Sequence, residues 1–178
     1  MYEKWKGVHT RCAFNMIQEL IPLTRPRTLA ATLGPTILGA AFSYYAFGAA
    51  QGTGLAIFHT MLIFLAVVTA QIVANLWNEY KDFKSGLDAG QKVGNAGSIT
   101  RGVITPELII TMIKVLMFVP IIIGLYLSAT ITWYYIPIGF LCILISFLYS
   151  GGPKPISRTP FGEISSGIAM GFAIVLIT

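Results

Sequence analysis

Apolar and polar positions alternate along this chain in long blocks. Leu29 to Ala50 carries no charge, and Leu55 to Trp77 is interrupted by polar His59, Gln71 and Asn75. Leu108 to Leu127 follows, with Lys114 and Pro120 inside it, then Ile131 to Tyr149, then a run from near Phe161 that is still apolar at Thr178. A helix rising 1.5 Å per residue needs roughly 20 apolar residues to cross about 30 Å of hydrocarbon. The pattern therefore predicts an all-α fold, a polytopic transmembrane helix bundle of about five helices. Thr105-Pro106-Glu107 and Thr159-Pro160 each offer a hydroxyl at the N-cap and proline at the first helical position. Pro120 and Pro137 are expected inside helices, where neighbouring segments re-satisfy the freed carbonyls. Phe14 to Leu23 reads as a short interfacial helix, and the first apolar run is too long and too late for a cleavable signal.

Charge orients these elements. Lys4, Lys6, Arg11, Arg25 and Arg27 precede the first run. Lys81, Lys84, Lys92 and Arg101 separate the second from the third, and Lys154 and Arg158 separate the fourth from the fifth. The connections Gln51 to Gly54 and Ser128 to Thr130 have no charge. The positive-inside rule puts residues 1–24, the 79–106 segment and the loop before the fifth run in the cytoplasm, in a multi-pass protein of the cell membrane. Lys114 stands outside the pattern, either snorkelling to the interface or lying on a pathway. All seven acids map to the cytoplasmic side. An anchor has no use for that asymmetry, whereas an enzyme taking a charged substrate from the cytoplasm does.

Composition narrows the class. Of 178 residues, 55% are hydrophobic and 11% charged, with mean hydropathy +0.74. A soluble domain carries roughly 25% charged residues, so a cytosolic enzyme, a disordered regulator and a secreted disulfide scaffold are excluded. The net charge of +5 reflects topology rather than a nucleic-acid patch. Cys12 and Cys142 have no CxxC spacing.

The chemistry-bearing stretch is Asn75-Leu-Trp-Asn78-Glu79-Tyr80-Lys81-Asp82, followed by Gly86 and Asp88. At about 100° per residue, Asn75, Glu79 and Asp82 share a helix face, with Asn78 at its flank. Gly86 is expected to end the helix and leave Asp88 able to fold back. Such an oxygen-rich helix end suits Mg²⁺, which binds through one or two carboxylates plus substrate phosphates. A solvated helix end satisfied by Lys81 and Lys84 is the alternative, although Asn75 and Asn78 lie deeper than solvation requires. Arg25-Pro26-Arg27 and Tyr149-Ser-Gly151-Gly152-Pro153-Lys154 converge on the same membrane face. Lys154 and Arg158 there are available to a diphosphate, or serve only as topogenic charges.

Asn75-xxx-Glu79-xx-Asp82, with Asp88 after it and Arg25-Pro26 upstream, resembles the first acidic motif of the UbiA-type intramembrane aromatic prenyltransferases. Tyr149-Ser-Gly-Gly-Pro-Lys154-Pro through Pro160-Phe-Gly162-Glu163 is similar to the loop of its menaquinone-forming, 1,4-dihydroxy-2-naphthoate branch. The likeness runs from about Leu23 onward. It implies metal-assisted transfer of a polyprenyl group from an isoprenyl diphosphate to an aromatic acceptor in a lipid bilayer. It implies Mg²⁺ held by Asn75, Glu79, Asp82 and Asp88, and a diphosphate met by Arg25, Asn75, Asn78, Lys154 and Arg158. Tyr149, Lys154 and Arg101 are the implied catalytic groups, Tyr149 facing the allylic cation or serving as an interfacial belt tyrosine. Glu79 stands where the family more usually has Asp. The family fold has nine helices and a second acidic motif in its later half. The resemblance thus implies that 1–178 are the N-terminal part of one membrane domain, completed by a C-terminal half or a homo-oligomer. Competing readings are prenyl transfer to 4-hydroxybenzoate, homogentisate or a porphyrin, a transporter half with charges near the midplane, and a non-catalytic membrane fragment or adaptor.

Overall fold

The computed structural model describes residues 20–86, 98–151 and 155–178, the side chains of 47–51 and Arg158 excepted. Among the described residues every regular element is helical. After a helical turn at 20–24, α1 spans Pro26–Gln51, α2 Thr53–Ser85, α3 Pro106–Thr130 and α4 Tyr135–Ser150. A 3-10 turn, Ile156–Arg158, leads to a last helical run. That run joins α5 (Gly162–Gly167), a π-helical segment (Ile168–Ala173) and α6 (Ile174–Ile177). α2 and α3 have the length and hydropathy to cross a membrane, and α4 and Gly162–Ile177 are shorter apolar helices.

The outer surface confirms a membrane bundle. Phe42, Tyr45, Phe118, Ile122, Phe140 and Phe172 are all exposed, Tyr45 at 92%. Soluble monomers rarely display apolar patches of that extent. Lys114 is exposed beside Val115 and Phe118, on the outer face and about 12 Å below the start of α3. That placement supports snorkelling, because the long aliphatic stem can carry the ammonium to the interface.

α2, with 33 residues, is about 50 Å long. It outruns the hydrocarbon, so its last turns, Glu79 through Ser85, project as helix rather than loop. Gly86 ends it as the sequence predicts, at φ 71° with its N–H bonded to the carbonyls of Asp82 and Phe83. Thr105 caps α3, its hydroxyl accepting from the Leu108 N–H at 3.2 Å. The last run lies against α1 at Gly39, where a Cβ would come within 2.6 Å of Thr178 Cβ. Small residues at such crossings let two membrane helices approach closely.

Two expectations about helix starts change. The 131–134 segment is a turn and α4 begins at Tyr135, so Pro137 falls in the first turn. The N–H groups there have no intrahelical partner, and proline costs no hydrogen bond. Thr159 is not an N-cap: its hydroxyl donates to the Ile156 carbonyl at 2.8 Å, closing the 3-10 turn, and α5 begins at Gly162. A Cβ on Gly162 would sit 3.1 Å from the Ile156 carbonyl oxygen. The tightly folded 3-10 turn therefore displaces the helix start by two residues.

Two packed clusters stabilise the bundle. At the charged end, Leu23, Val73, Leu76, Ile99, Ile104, Ile109 and Ile113 are buried together. The segment from Ser98 to Ile104 is thereby pinned against α2 and α3. At the opposite end Ile63, Ile123 and Leu127 form a smaller cluster.

Candidate active site

The start of α1 is held to α2 by one side chain. Asn75 Nδ2 donates to the Thr24 carbonyl at 2.8 Å and to Thr28 Oγ1 at 3.0 Å. The Thr24 carbonyl can only accept, so the nitrogen must point there and both amide hydrogens are spent. What Asn75 retains for a ligand is its oxygen, an acceptor suited to a cation rather than to a phosphate. Between these anchors Arg25 adopts φ 50°, the left-handed region, immediately before Pro26. A non-glycine residue there costs of order 1–3 kcal/mol and persists only when its surroundings over-determine it.

Glu79, one turn beyond Asn75, is buried at 2% exposure, and Asp82 is half-buried. Neither is an isolated charge. Among the described residues no three His, Cys, Asp or Glu converge. The local donor set is two carboxylates and an amide oxygen, hard ligands of the kind that Mg²⁺ accepts when phosphate oxygens complete its shell.

Across from α2, the end of α4 is fixed by Trp77, whose Nε1 donates to the Phe147 carbonyl at 3.0 Å. The Trp77 ring packs edge-on against Phe147 and stacks on Tyr80, and Lys81 Nζ lies 5.2 Å from its centroid. A Cβ on Gly151 would fall 2.6 Å from the Phe147 carbonyl oxygen, so only glycine lets the chain turn there. Ser150 Oγ is buried, with no hydrogen-bond partner among the described residues.

A cavity of about 240 Å³ opens between α2, α3, α4 and the last helical run. It is lined along α2 from Ile63 to Asn78, about 22 Å at 1.5 Å per residue. Its charged end is lined by the polar side chains of Asn75, Asn78, Ser146, Tyr149 and Ser165. Its far end is lined by Ile63, Ile123, Leu127 and Ile177, with Tyr135 donating its hydroxyl to the Ile177 carbonyl at 3.2 Å. Gly124 and Gly139 line it with no atom within 4 Å of an added Cβ. At mid-depth, Gln71 Nε2 and Ser166 Oγ both direct hydrogens at Met170 Sδ, which sits on the π-helical segment.

The structure thus brings together Arg25, Asn75, Asn78, Glu79, Asp82 and Tyr149 at one end of the bundle. Arg101 lies on an exposed turn, donating to Ser98 Oγ at 3.2 Å. Asp88 and Lys154 lie outside the described residues, as does the side chain of Arg158 on its 3-10 turn. Thr24, Thr28, Gln71 and Met170 escaped sequence reasoning. Thr28, Thr32 and Thr36 recur every fourth residue, with Thr32 and Thr36 buried. That inward polar stripe was the available signal for Thr28.

The cavity, apolar over most of its length, thus ends at the amides of Asn75 and Asn78, next along α2 to Glu79 and Asp82. The chain belongs to the UbiA prenyltransferase family, whose model matches residues 32–178. Over 171 residues it is 40% identical to the 1,4-dihydroxy-2-naphthoate octaprenyltransferase of Bacillus subtilis (strain 168), covering 92% of this chain and 51% of that protein. The Mycobacterium tuberculosis (strain ATCC 25618 / H37Rv) protein of the same name is 30% identical over 155 residues, 86% of this chain and 50% of its own. The Escherichia coli (strain K12) one is 28% identical over 162 residues, 85% and 49% respectively. The chain spans about half the length of the curated relatives it matches. No solved structure matches it.

Proposed function

We propose that the chain takes part in transferring a polyprenyl group from an isoprenyl diphosphate to 1,4-dihydroxy-2-naphthoate, a step of menaquinone biosynthesis. The observation that carries this reading is the cavity, polar where Asn75, Asn78 and Tyr149 line it and apolar down to Ile63 and Ile177. The relatives' names supply the acceptor. In this reading the prenyl tail lies along α2, and the diphosphate sits at the charged end.

Glu79, Asp82 and the Asn75 oxygen would hold Mg²⁺, with Asp88 as a further ligand. The ion would supply charge neutralisation on the departing diphosphate. Arg25 adds positive charge at the same end, Lys154 and Arg158 would join it at the diphosphate, and Asn78 can donate to a phosphate oxygen. Arg101 acts as a catalytic cation on the turn that Ile99 and Ile104 pin beside α2. The allylic C–O bond breaks with its electron pair going to the diphosphate. A ring carbon of the acceptor forms the new C–C bond, and its carboxylate leaves as CO₂, returning a pair to the ring. Tyr149 offers its π-face to the allylic cation, and the apolar walls keep water from it.

Glu79 and Asp82 alone hold only part of the metal complex needed to neutralise a diphosphate. Further acids from a C-terminal half or from a second copy complete the site in this reading, which makes 1–178 the N-terminal part of one domain. The charged end faces the cytoplasm. Labelling single cysteines placed at Ser85 and Thr53 checks this: only position 53 should react from outside intact cells, and reaction at 85 would reverse the topology.

The activity is tested in proteoliposomes with Mg²⁺, labelled geranylgeranyl diphosphate and dihydroxynaphthoate. The chain is assayed with and without the C-terminal half of the Bacillus subtilis relative. Prenylated product in the supplemented reaction is expected. Absence of both product and diphosphate binding in the supplemented reaction would reject the reading.

A further inference from the structure

We infer that Thr28 is a positioning residue, whose hydroxyl locks Arg25 into the left-handed turn that aims its guanidinium at a diphosphate. This rests on the reading that the charged end receives a diphosphate. Thr28 Oγ1 accepts from Asn75 Nδ2 at 3.0 Å and donates to the Arg25 carbonyl at 2.8 Å. The second hydrogen of the same Asn75 amide binds the Thr24 carbonyl at 2.8 Å. The carbonyls of Thr24 and Arg25 flank the one non-glycine residue with positive φ among those described. Both are therefore held, directly or through Thr28, by a single amide on α2.

The backbone around this turn adds little freedom. Arg25 N–H bonds the Pro22 carbonyl at 3.1 Å, and the Arg25 carbonyl also accepts from the N–H groups of Thr28 and Leu29. Pro26 fixes the next φ and disfavours helical geometry at residue 25. It does not select the left-handed region over the extended one, and the Asn75–Thr28 relay makes that selection. An extended Arg25 would carry its side chain in a different direction from the same Cα. The relay also ties the orientation of Arg25 to α2, the helix that bears Glu79 and Asp82. Cation and carboxylates are thereby set at a fixed spacing on two different helices. Ordinary helix capping does not account for the arrangement, since α1 has no side-chain cap bond at its N-terminus.

The test measures binding in proteoliposomes to the full 178-residue chain together with the C-terminal half of the Bacillus subtilis relative, using geranyl diphosphate with Mg²⁺ and, separately, geraniol, the same tail without the charged head. Thr28→Val keeps the shape and removes both hydrogen bonds, whereas Thr28→Ser keeps the hydroxyl. Thr28→Val should weaken geranyl diphosphate binding about 10-fold, the lower end of what loss of an orienting partner costs. Geraniol affinity should stay unchanged, and Thr28→Ser should restore diphosphate binding. In an Arg25→Gln background, Thr28→Val should add no further loss. Thr28→Ala serves the same purpose if the valine protein is not recovered. Equal weakening of both ligands would mean a merely structural role and overturn the proposal. So would unaltered diphosphate binding in Thr28→Val. Failure of the unsubstituted chain to bind geranyl diphosphate even with that C-terminal half present would instead overturn the functional reading itself.

Discussion

The two ends of α2 are built on opposite principles. Around Asn75, polar groups are buried and committed: both amide hydrogens of Asn75 are used, Trp77 holds the Phe147 carbonyl, and Glu79 is buried beside them. Around Ile63 the cavity is shaped by what is missing, with Gly124 and Gly139 leaving open space. His59, near the uncharged end of α2, is buried by Phe58 and Tyr126, with no hydrogen bond to its Nε2 among the described residues. Directional bonds fix a small charged group to within fractions of an ångström, whereas a flexible tail requires only dry volume. The first end should tolerate substitution poorly. The second should respond to added bulk rather than to lost polarity.

The largest effect is expected at the charged end. Asp82→Asn keeps the size and removes the charge, and should lower prenyl transfer 10- to 100-fold or more, with insertion into the membrane unaltered. The assay belongs in the supplemented proteoliposome reaction. At the other end, Gly139→Leu projects into open cavity and should exclude long tails. Transfer or binding should fall several-fold for a geranylgeranyl donor and much less for a dimethylallyl one. If both donors suffered equally, the tail would not run past Gly139.

These two substitutions also mark what the sequence made legible. The apolar runs, the Thr105 cap, the Gly86 stop and the clustering of acids at one helix end follow from local periodicity and capping, which act within a few residues. The cavity does not, because Gly124 and Gly139 show their effect only once four helices surround a common space. The role of Asn75 was half visible. Its helix face follows from spacing, but its partners Thr24 and Thr28 lie about 50 residues away in the chain. The Thr159 cap failed because the Ile156–Arg158 turn, folded tightly over Gly162, competed for the same hydroxyl. The π-helical segment carrying Met170 had no sequence signal that periodicity could detect.

Smaller effects sharpen the contrast further. Trp77→Phe retains the ring contact with Phe147 but drops one buried hydrogen bond, and should cost about 0.5–1.5 kcal/mol of stability. A thermal shift in detergent measures it, and no change would show that the Gly151 N–H, 2.9 Å from the Phe147 carbonyl, satisfies it alone. His59→Leu should be neutral or slightly stabilising, because it removes a buried nitrogen that has no partner among the described residues. A clear loss of stability would reveal an interaction at that end and weaken the contrast between the two.

Cys142 lines the cavity and is half-buried, so it reports directly on whether a prenyl tail occupies that space. In a Cys12→Ser protein it is the sole thiol, and its reaction with an uncharged maleimide can be timed. Geranylgeranyl diphosphate with Mg²⁺ should slow that reaction several-fold, and Asp82→Asn should abolish the protection while leaving the unprotected rate unchanged. An unaltered labelling rate at saturating, independently confirmed diphosphate binding would contradict the account, because the tail would then lie outside the α2–α3–α4 cavity.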